Sequence, residues 1–322
     1  METSLTLGTR RSKISASGRV DTRLREMREA LRVLLWRSFP RAMLLTRYVR
    51  RFRQLPNLRH PRTFKEHLLV KMLFDRDPRL TLIADKLTAR DYVNVKLNGE
   101  QNLTTLYGVV DTPIEIRGLA LPDRFVMKPN HLSGAFRIVR DASSVQRDEL
   151  ATLARSWLNT AHGVAPYEWA YGGIRPRVLF EELLLEPSGE PAIDYNFYCF
   201  GGEPRFVRVV RGKFGQDPTV TTYDTEFRHV PVWLTPSAFR RVNAETDPPP
   251  NFDSMLEIAR KLSEDIDFVR VDLYNVAGRV VFGELTNYPQ AGYWQFDPPI
   301  WEQRFGAYWP SGGRRPATRV QA

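Results

Sequence analysis

The stretch 265-DIDFVRVDLYNVAGRVVFGELTNYPQAG-292 contains two runs rich in β-branched and aromatic residues, 268-FVRVDLY-274 and 279-RVVFGEL-285, joined by the turn-forming 275-NVAG-278. This is the pattern of an antiparallel hairpin. Successive side chains of a strand alternate faces, so Val269, Val271 and Leu273 share one face while Phe268, Arg270, Asp272 and Tyr274 share the other. In the second run Phe282 and Glu284 fall on a common face, and the hairpin brings Asp272 beside Glu284. Adjacent carboxylates repel, so the pair requires a cation. Arg270 supplies one fixed charge, and a divalent metal would supply more. Without a metal, the same three residues make an Arg-Asp-Glu ion-pair network on a solvated sheet face. The hairpin alone leaves both readings open.

The rest of the chain alternates helical and extended patterns. Residues 63–75 repeat apolar positions at Phe64, Leu68, Met72 and Leu73, residues 85–97 do so from Asp85 as N-cap, and a third helix is expected over 253–265. Strand-like runs cover 124–130, 136–140, 177–184, 194–200 and 204–210, with Gly201-Gly202 as a turn between the last two. Neighbouring hairpins of this kind predict antiparallel sheet and an α+β class.

Composition narrows the function classes. With 322 residues, 42% apolar and 11% aromatic, the chain can bury a substantial core, shared between two lobes. The single Cys199 excludes an internal disulfide and a cysteine-only zinc cluster, and it points to a reducing, cytoplasmic compartment. Within 194-DYNFYCF-200 it reads as a small core hydrophobe.

The net charge of +10 is local, because residues 1–60 hold 15 Lys/Arg against 4 Asp/Glu while the other 262 hold 32 against 33. Residues 1–22 read as a disordered basic tail, although an organelle transit peptide has similar composition; 311–322 read as a second tail. Over 23–60, Leu24, Met27, Leu31, Leu34 and Leu35 alternate with Arg25, Arg28, Arg32 and Arg37, and after Pro40 a second pattern sets Leu44, Leu45, Tyr48, Val49 and Phe52 beside Arg47, Arg50, Arg51 and Arg53. Two basic amphipathic helices are expected. Their apolar faces either pack on the body with the arginines solvated or rest on an anionic membrane surface. Interleaved leucines suit these roles better than nucleic-acid base stacking. No run reaches the roughly 18 apolar residues of a membrane span, and no secretory signal pattern is present.

From about Pro61 to Trp309 the sequence resembles an ATP-grasp enzyme, in particular the TupA-like branch named for teichuronopeptide biosynthesis. The resemblance rests on the order and spacing of 85-DKLTARDYV-93, 125-FVMKPNHLSG-134, 167-YEWAYGGIRPRVLFEELL-184, 194-DYNFYCFGGEPRF-206 and the opening hairpin. It implies two α+β subdomains whose antiparallel sheets grip ATP, with a helical part over 61–120, a lid-side subdomain over 121–184 and a metal-binding subdomain over 185–310.

The resemblance also implies roles. Lys128 reaches the nucleotide phosphates under a small-residue loop holding Ser133 and Gly134, and Lys86 is a second nucleotide contact. Glu181, Glu182 and Leu183 lie at the adenine, with Glu181 accepting from its amino group; Asp194 receives the ribose hydroxyls or, read from the residues alone, caps a turn. Arg208, Arg211 and Lys213 are alternatives for another phosphate-directed cation. Asp272 and Glu284 ligate Mg²⁺, and Arg270 steadies a developing acyl phosphate. The family's common Glu-x-Asn is altered: Pro289 keeps its spacing, but Thr286 stands in the Asn position and Asn287 comes one residue late. Thr286 is then a weaker ligand, or a bulge turns Asn287 inward, or water fills the place. The activity implied is ATP-dependent carboxylate–amine ligation through an acyl phosphate, on a carboxylate substrate and an amine acceptor such as a cell-surface glycan precursor of a bacterial envelope. A kinase on the same fold, a glycosyltransferase-like envelope enzyme and a module that only binds ATP or nucleic acid are the alternatives.

Overall fold

The computed structural model describes residues 27, 31, 34–36, 38–160, 168–213, 215–243 and 246–310. The tails expected over 1–22 and 311–322, and most of the first basic helix, lie outside the described residues.

Among the described residues, four helices whose full ranges are described open the body. The first, α1 (Pro40–Phe52), has proline in its first turn, where a missing N–H costs nothing. It buries Leu44 and Tyr48, and its arginines also face inward: Arg47 donates to the Ala291 carbonyl, and Arg51 to the carbonyls of Tyr293 at 3.0 Å and Thr235 at 3.2 Å. Arg50 and Arg53 are exposed. The helix is therefore fixed to the body by guanidinium–carbonyl bonds as well as by its apolar face. No helix among the described residues is long and apolar enough to cross a membrane.

α2 (Phe64–Phe74) starts at a capping box formed by Thr63 and Glu66. It is followed by α3 (Pro78–Ala84), capped by Asp77, and α4 (Thr88–Leu97). The expected start of α4 at Asp85 is corrected. Asp85 closes α3, and its Oδ1 accepts from Leu87 N at 2.8 Å and Asn130 Nδ2 at 2.9 Å, so the next helix begins only at Thr88.

A four-stranded antiparallel sheet follows, with β1 (Leu106–Val110), β2 (Phe125–Pro129), β3 (Arg137–Val139) and β4 (Val178–Glu181) in the order β1-β4-β2-β3. Helix α5 (Arg147–Leu158) covers it through Leu150, Ala154 and Trp157, which share a core with Phe125, Met127 and Phe180. Residues 61–120, expected to be helical, thus also contribute strand β1 to this sheet, followed by a 3-10 turn over Pro113–Gly118.

The larger sheet contains β5 (Asp194–Phe200), β6 (Glu203–Arg211), β7 (Thr219–Tyr223), β9 (Arg240–Arg241), β10 (Phe268–Val276) and β11 (Arg279–Thr286), in the order β11-β10-β5-β6-β7-β9. β8 (Trp233–Thr235) pairs separately with β12 (Gln295–Asp297), and α7 (Ile300–Gly306) follows. Helix α6 (Phe252–Ser263) buries Met255, Ala259 and Leu262 within the core that also holds Phe197, Cys199, Val271 and Leu273. Burial pushes the Cys199 thiol up to about 12, which suits the small-hydrophobe reading. The opposite face of the sheet carries the polar residues.

The β10–β11 hairpin departs from regular alternation at one place. Asp272 pairs with Glu284, but Leu273 pairs with Phe282, leaving Gly283 as an extra residue. A Cβ there would stand 2.9 Å from the Tyr274 ring and 3.0 Å from the Asp272 carbonyl oxygen, so the bulge accepts only glycine without displacement. The bulge flips Phe282 to the core side, where it is 6% exposed. The expectation that Phe282 and Glu284 share a face is therefore wrong, while the juxtaposition of Asp272 and Glu284 holds.

Candidate functional site

Cross-strand pairing sets Thr222, Arg208, Asn196, Asp272 and Glu284 in one row across β7, β6, β5, β10 and β11. Around Asp272 and Glu284, Arg270 donates to both Asp272 oxygens at 2.6 Å and to Glu284 Oε1 at 2.7 Å, and the Thr286 hydroxyl donates to the same Glu284 oxygen at 2.7 Å. One guanidinium thus serves two carboxylates. Burial and the charge of Glu284 push Asp272 up to about 7 in spite of Arg270. Glu284 moves the other way, to about 2: burial opposes its charge, but Arg270 and Lys86 more than reverse that. The Arg270 guanidinium is also desolvated, yet Asp272 and Glu284 hold its proton.

Thr286, paired with Arg270, lies on the site face of β11. Asn287 does not. It is fully buried and donates to the Leu80 carbonyl at 2.8 Å, tying β11 to α3. The bulge falls at Gly283, before Glu284, so it leaves the alternation through Thr286 and Asn287 intact; Asn287 as a metal ligand is withdrawn on this geometry.

Lys128, on β2, forms an ion pair of 2.5 Å with Glu181 at the end of β4. Arg90 of α4 binds the other Glu181 oxygen at 3.1 Å and donates to Thr104. Glu181 is accordingly held between two cations. Lys86 donates to the Leu132 carbonyl at 2.6 Å, and burial lowers its pKa while Glu284 and Glu181 raise it and Lys128 lowers it. Lys86 thus lies within electrostatic reach of Glu284 on one side and of the Lys128–Glu181 pair on the other. The loop after β2 is clamped at its base by Asn130, which bonds Asp85, Arg175 and Arg177, while Ser133 and Gly134 form an exposed apex with Gly134 at φ +72°. Glu182 is drawn to Arg279 at 2.9 Å and to the Thr105 amide at 3.0 Å. Leu183, half-buried, follows it in the segment between the sheets.

Asp194 opens β5, is 1% exposed, and pairs with Lys213 and with the Asn196 amide at 3.0 Å. Burial opposes the Lys213 charge, but Asp194 outweighs it and holds the ammonium above the usual lysine range. Tyr274, opposite Asp194, is likewise pushed up, first by that carboxylate and then by burial. Arg211 points away, toward Thr246 at 3.5 Å. Arg208 is 3% exposed, and its Nε and Nη2 meet no hydrogen-bond partner among the described residues. Sequence reasoning assigned nothing to Arg90, Asn196 or Tyr274. Arg90 lies inside 85-DKLTARDYV-93, and Tyr274 keeps the alternation of Arg270 and Asp272, so both carried a local signal; Asn196 became visible only through its pairing with Arg208 and Asp272.

The donor set of Asp272, Glu284 and Thr286 is all hard oxygen, which suits Mg²⁺. Among the described residues no cluster of three or more His, Cys, Asp or Glu could hold a metal, so two carboxylates leave the remaining positions to substrate oxygens and water, as magnesium commonly demands. A cation between the acids would offset both the burial and the Glu284 repulsion that raise the Asp272 carboxyl.

The family profile of TupA-like ATP-grasp proteins matches residues 66–309. The chain belongs to the TupA-like ATP-grasp family. Among solved structures, this ATP-grasp chain is similar to D-alanine–D-alanine ligase from Helicobacter pylori at 15% identity, over 77% of this chain and 69% of that one, with a TM-score of 0.43. It is also similar to the ATP-grasp ligase PsnB complexed with minimal precursor, at 13% identity over 65% of this chain and 54% of that one (TM-score 0.37). A third is D-alanine–D-alanine ligase from Bacillus anthracis complexed with ATP, at 13% identity over 65% and 55% (TM-score 0.36). The chain thus spans about half the length of PsnB. No curated protein matches it. The ATP-grasp fold and an α+β architecture with leading helices agree with the expectation from the sequence.

Proposed function

We propose that this chain is an ATP-dependent carboxylate–amine ligase that works through an acyl phosphate, acting on a cell-surface glycan precursor or a teichuronopeptide-like product. The observation that carries the reading is the Asp272–Arg270–Glu284 cluster facing Lys86, Lys128 and Glu181 across the junction of the sheets. Mg²⁺ held by Asp272 and Glu284, with Thr286 beside them, would neutralise charge on phosphoryl oxygens.

The protein's own groups do the rest by placement. Lys128, kept in position by Glu181 and Arg90, and Lys86 direct positive charge at the phosphates. Lys213 and Asp194 flank the same face, with Asp194 toward the ribose. Glu182 and Leu183 border the adenine. Arg270, in reach of both carboxylates, stabilises the charge that develops as a substrate carboxylate attacks the terminal phosphorus and the bond to ADP breaks. An amine then attacks the acyl carbon and phosphate leaves. Alignment and charge neutralisation account for the acceleration, and no side-chain nucleophile is required.

ADP release measured with candidate carboxylates, with and without amines, tests the reading. ADP that needs both reactants, with a product containing the new C–N bond, is expected. ADP and a stable phosphorylated product from one reactant alone would instead make the chain a kinase. We further propose that the basic N-terminal segment contacts an anionic membrane surface, supported by exposed Met27, Leu31, Leu34 and Phe39 alongside exposed Arg41, Arg50 and Arg53.

A further inference from the structure

Arg208 stands in the same cross-strand row as the acid pair but on its far side. Asn196 separates it from Asp272, and β10 and β11 separate it from the lysines at the sheet junction. With strands about 4.8 Å apart, its Cα is about 10 Å from that of Asp272. Its neighbours in the row do not serve it: Asn196 donates its amide to Asp194 and Thr222 donates its hydroxyl to the Val232 carbonyl at 3.0 Å, while the Arg208 Nε and Nη2 reach neither side-chain oxygen. The Trp294 ring covers the guanidinium at 5.9 Å, a cation–π distance. Diagonally adjacent on the same face, Tyr198 is fully buried, and its hydroxyl also has no hydrogen-bond partner among the described residues. No carboxylate among the described residues forms a salt bridge with Arg208.

A buried guanidinium without an acceptor is costly, and a chain gains nothing in stability by keeping one. The guanidinium fork matches an oxyanion, to which it donates in pairs. Resting on the ligase reading above, a nucleotide with its ribose at Asp194, gripped by Lys86 and Lys128, ends with its terminal phosphate at Asp272 and Glu284 on the β10–β11 half of this row and leaves the β6 half free. The second substrate then enters from the β6 side. We propose that Arg208 is the anchor of an oxyanion subsite for the non-nucleotide substrate, which therefore carries an anionic group, a carboxylate or a phosphate ester, besides the groups that react.

The test uses the full chain, wild type and Arg208→Met, in thermal-shift and calorimetric titrations with succinate and with inorganic phosphate at ionic strength matched by NaCl, each with and without saturating MgADP. Wild type is expected to be stabilised by at least one of the two anions beyond the NaCl control; which one identifies carboxylate or phosphate as the source. Arg208→Met is expected to melt no lower than wild type without anion, to bind the effective anion at least about tenfold more weakly, and to keep its MgADP affinity within about threefold.

Equal anion responses in both proteins overturn the proposal. So does a tenfold loss of MgADP affinity, which would assign Arg208 to the nucleotide's phosphates. A variant that melts markedly lower yet retains the anion response would show a structural arginine and also overturn it. If Arg208→Met fails to fold, Arg208→Lys decides: a point charge in place of the fork should weaken the anion response and leave MgADP untouched, and an unchanged response rejects the subsite. Failure of wild type to bind MgADP would refute the ligase reading itself, whereas the nucleotide-free titrations judge the oxyanion site independently.

Discussion

Asp272→Asn separates a metal-binding acid pair from a structural ion-pair network. The Asp272 carboxyl, 4% exposed, is raised from 3.8 to about 7. A raised folded-state pKa means that the folded protein holds this proton more tightly than the unfolded chain does. The resulting stability is fully present below the unfolded value and is lost as pH rises through about 7. At pH 8 the charged carboxylate therefore weighs against folding by at most about 4 kcal/mol, at 1.36 kcal/mol per unit. Asparagine mimics the protonated acid and leaves Arg270 paired with Glu284. At pH 8 the variant should gain about 1–3 kcal/mol, a rise in melting temperature of about 1.5 °C per kcal/mol at ~2.1 cal/mol/K of unfolding entropy per residue. At pH 5, where wild-type Asp272 is mostly protonated, the gain should shrink toward zero. Differential scanning fluorimetry at the two pH values measures this, and the same samples with MgATP should show that the variant has lost ligand-induced stabilisation. A variant that loses several kcal/mol at both pH values, while its folded fraction retains parental ADP production, would refute the metal-site argument.

Three further outcomes follow from the geometry. Lys128→Ala should weaken ATP binding at least about tenfold with little change in melting temperature, because Glu181 keeps Arg90 at 3.1 Å; calorimetry showing parental affinity would remove Lys128 from the site. Gly283→Ala should cost about 1–3 kcal/mol by overpacking and reduce MgATP-dependent stabilisation, since the added methyl meets Tyr274 and the Asp272 carbonyl; a variant with wild-type melting and activity would show that the bulge does not set the acid pair. A chain lacking residues 1–38, which keeps α1, should lose most salt-sensitive binding to phosphatidylserine vesicles, at about 1 kcal/mol per cation near the surface, and equal binding by both forms would reject the membrane contact.

The acid pair was legible in the sequence because alternation is local: Arg270, Asp272 and Tyr274 fall on one face whatever lies beside them. The bulge was not, since Gly283 adds one residue to β11 without changing the apolar character of the run, and only pairing with β10 reveals it. The α+β class and the main strands of the large sheet were readable from β-branched runs between turns. β1, in 106-LYGVV-110, is short and follows a helical segment, and the two-residue β9 owes its existence to pairing with β7. Arg47 and Arg51 looked like solvated charges on an amphipathic helix; that they hold carbonyls in 291–293 is a tertiary fact that periodicity does not encode. Arg208 was one of three alternative cations by position, and its distinction from Lys213 and Arg211 depends on which partners the fold supplies to each.

On the proposed function, Asp272 and Glu284 hold magnesium against ATP. Glu284→Gln leaves Arg270 bound to Asp272 through two oxygens, so the fold should persist, and calorimetric titration of ATP with and without Mg²⁺ into wild-type and variant protein measures the claim most directly. Wild type is expected to bind ATP much more tightly with Mg²⁺ than without, and Glu284→Gln to abolish this difference while retaining weak, magnesium-independent binding. A folded Glu284→Gln protein with the full magnesium enhancement of the wild type would contradict it.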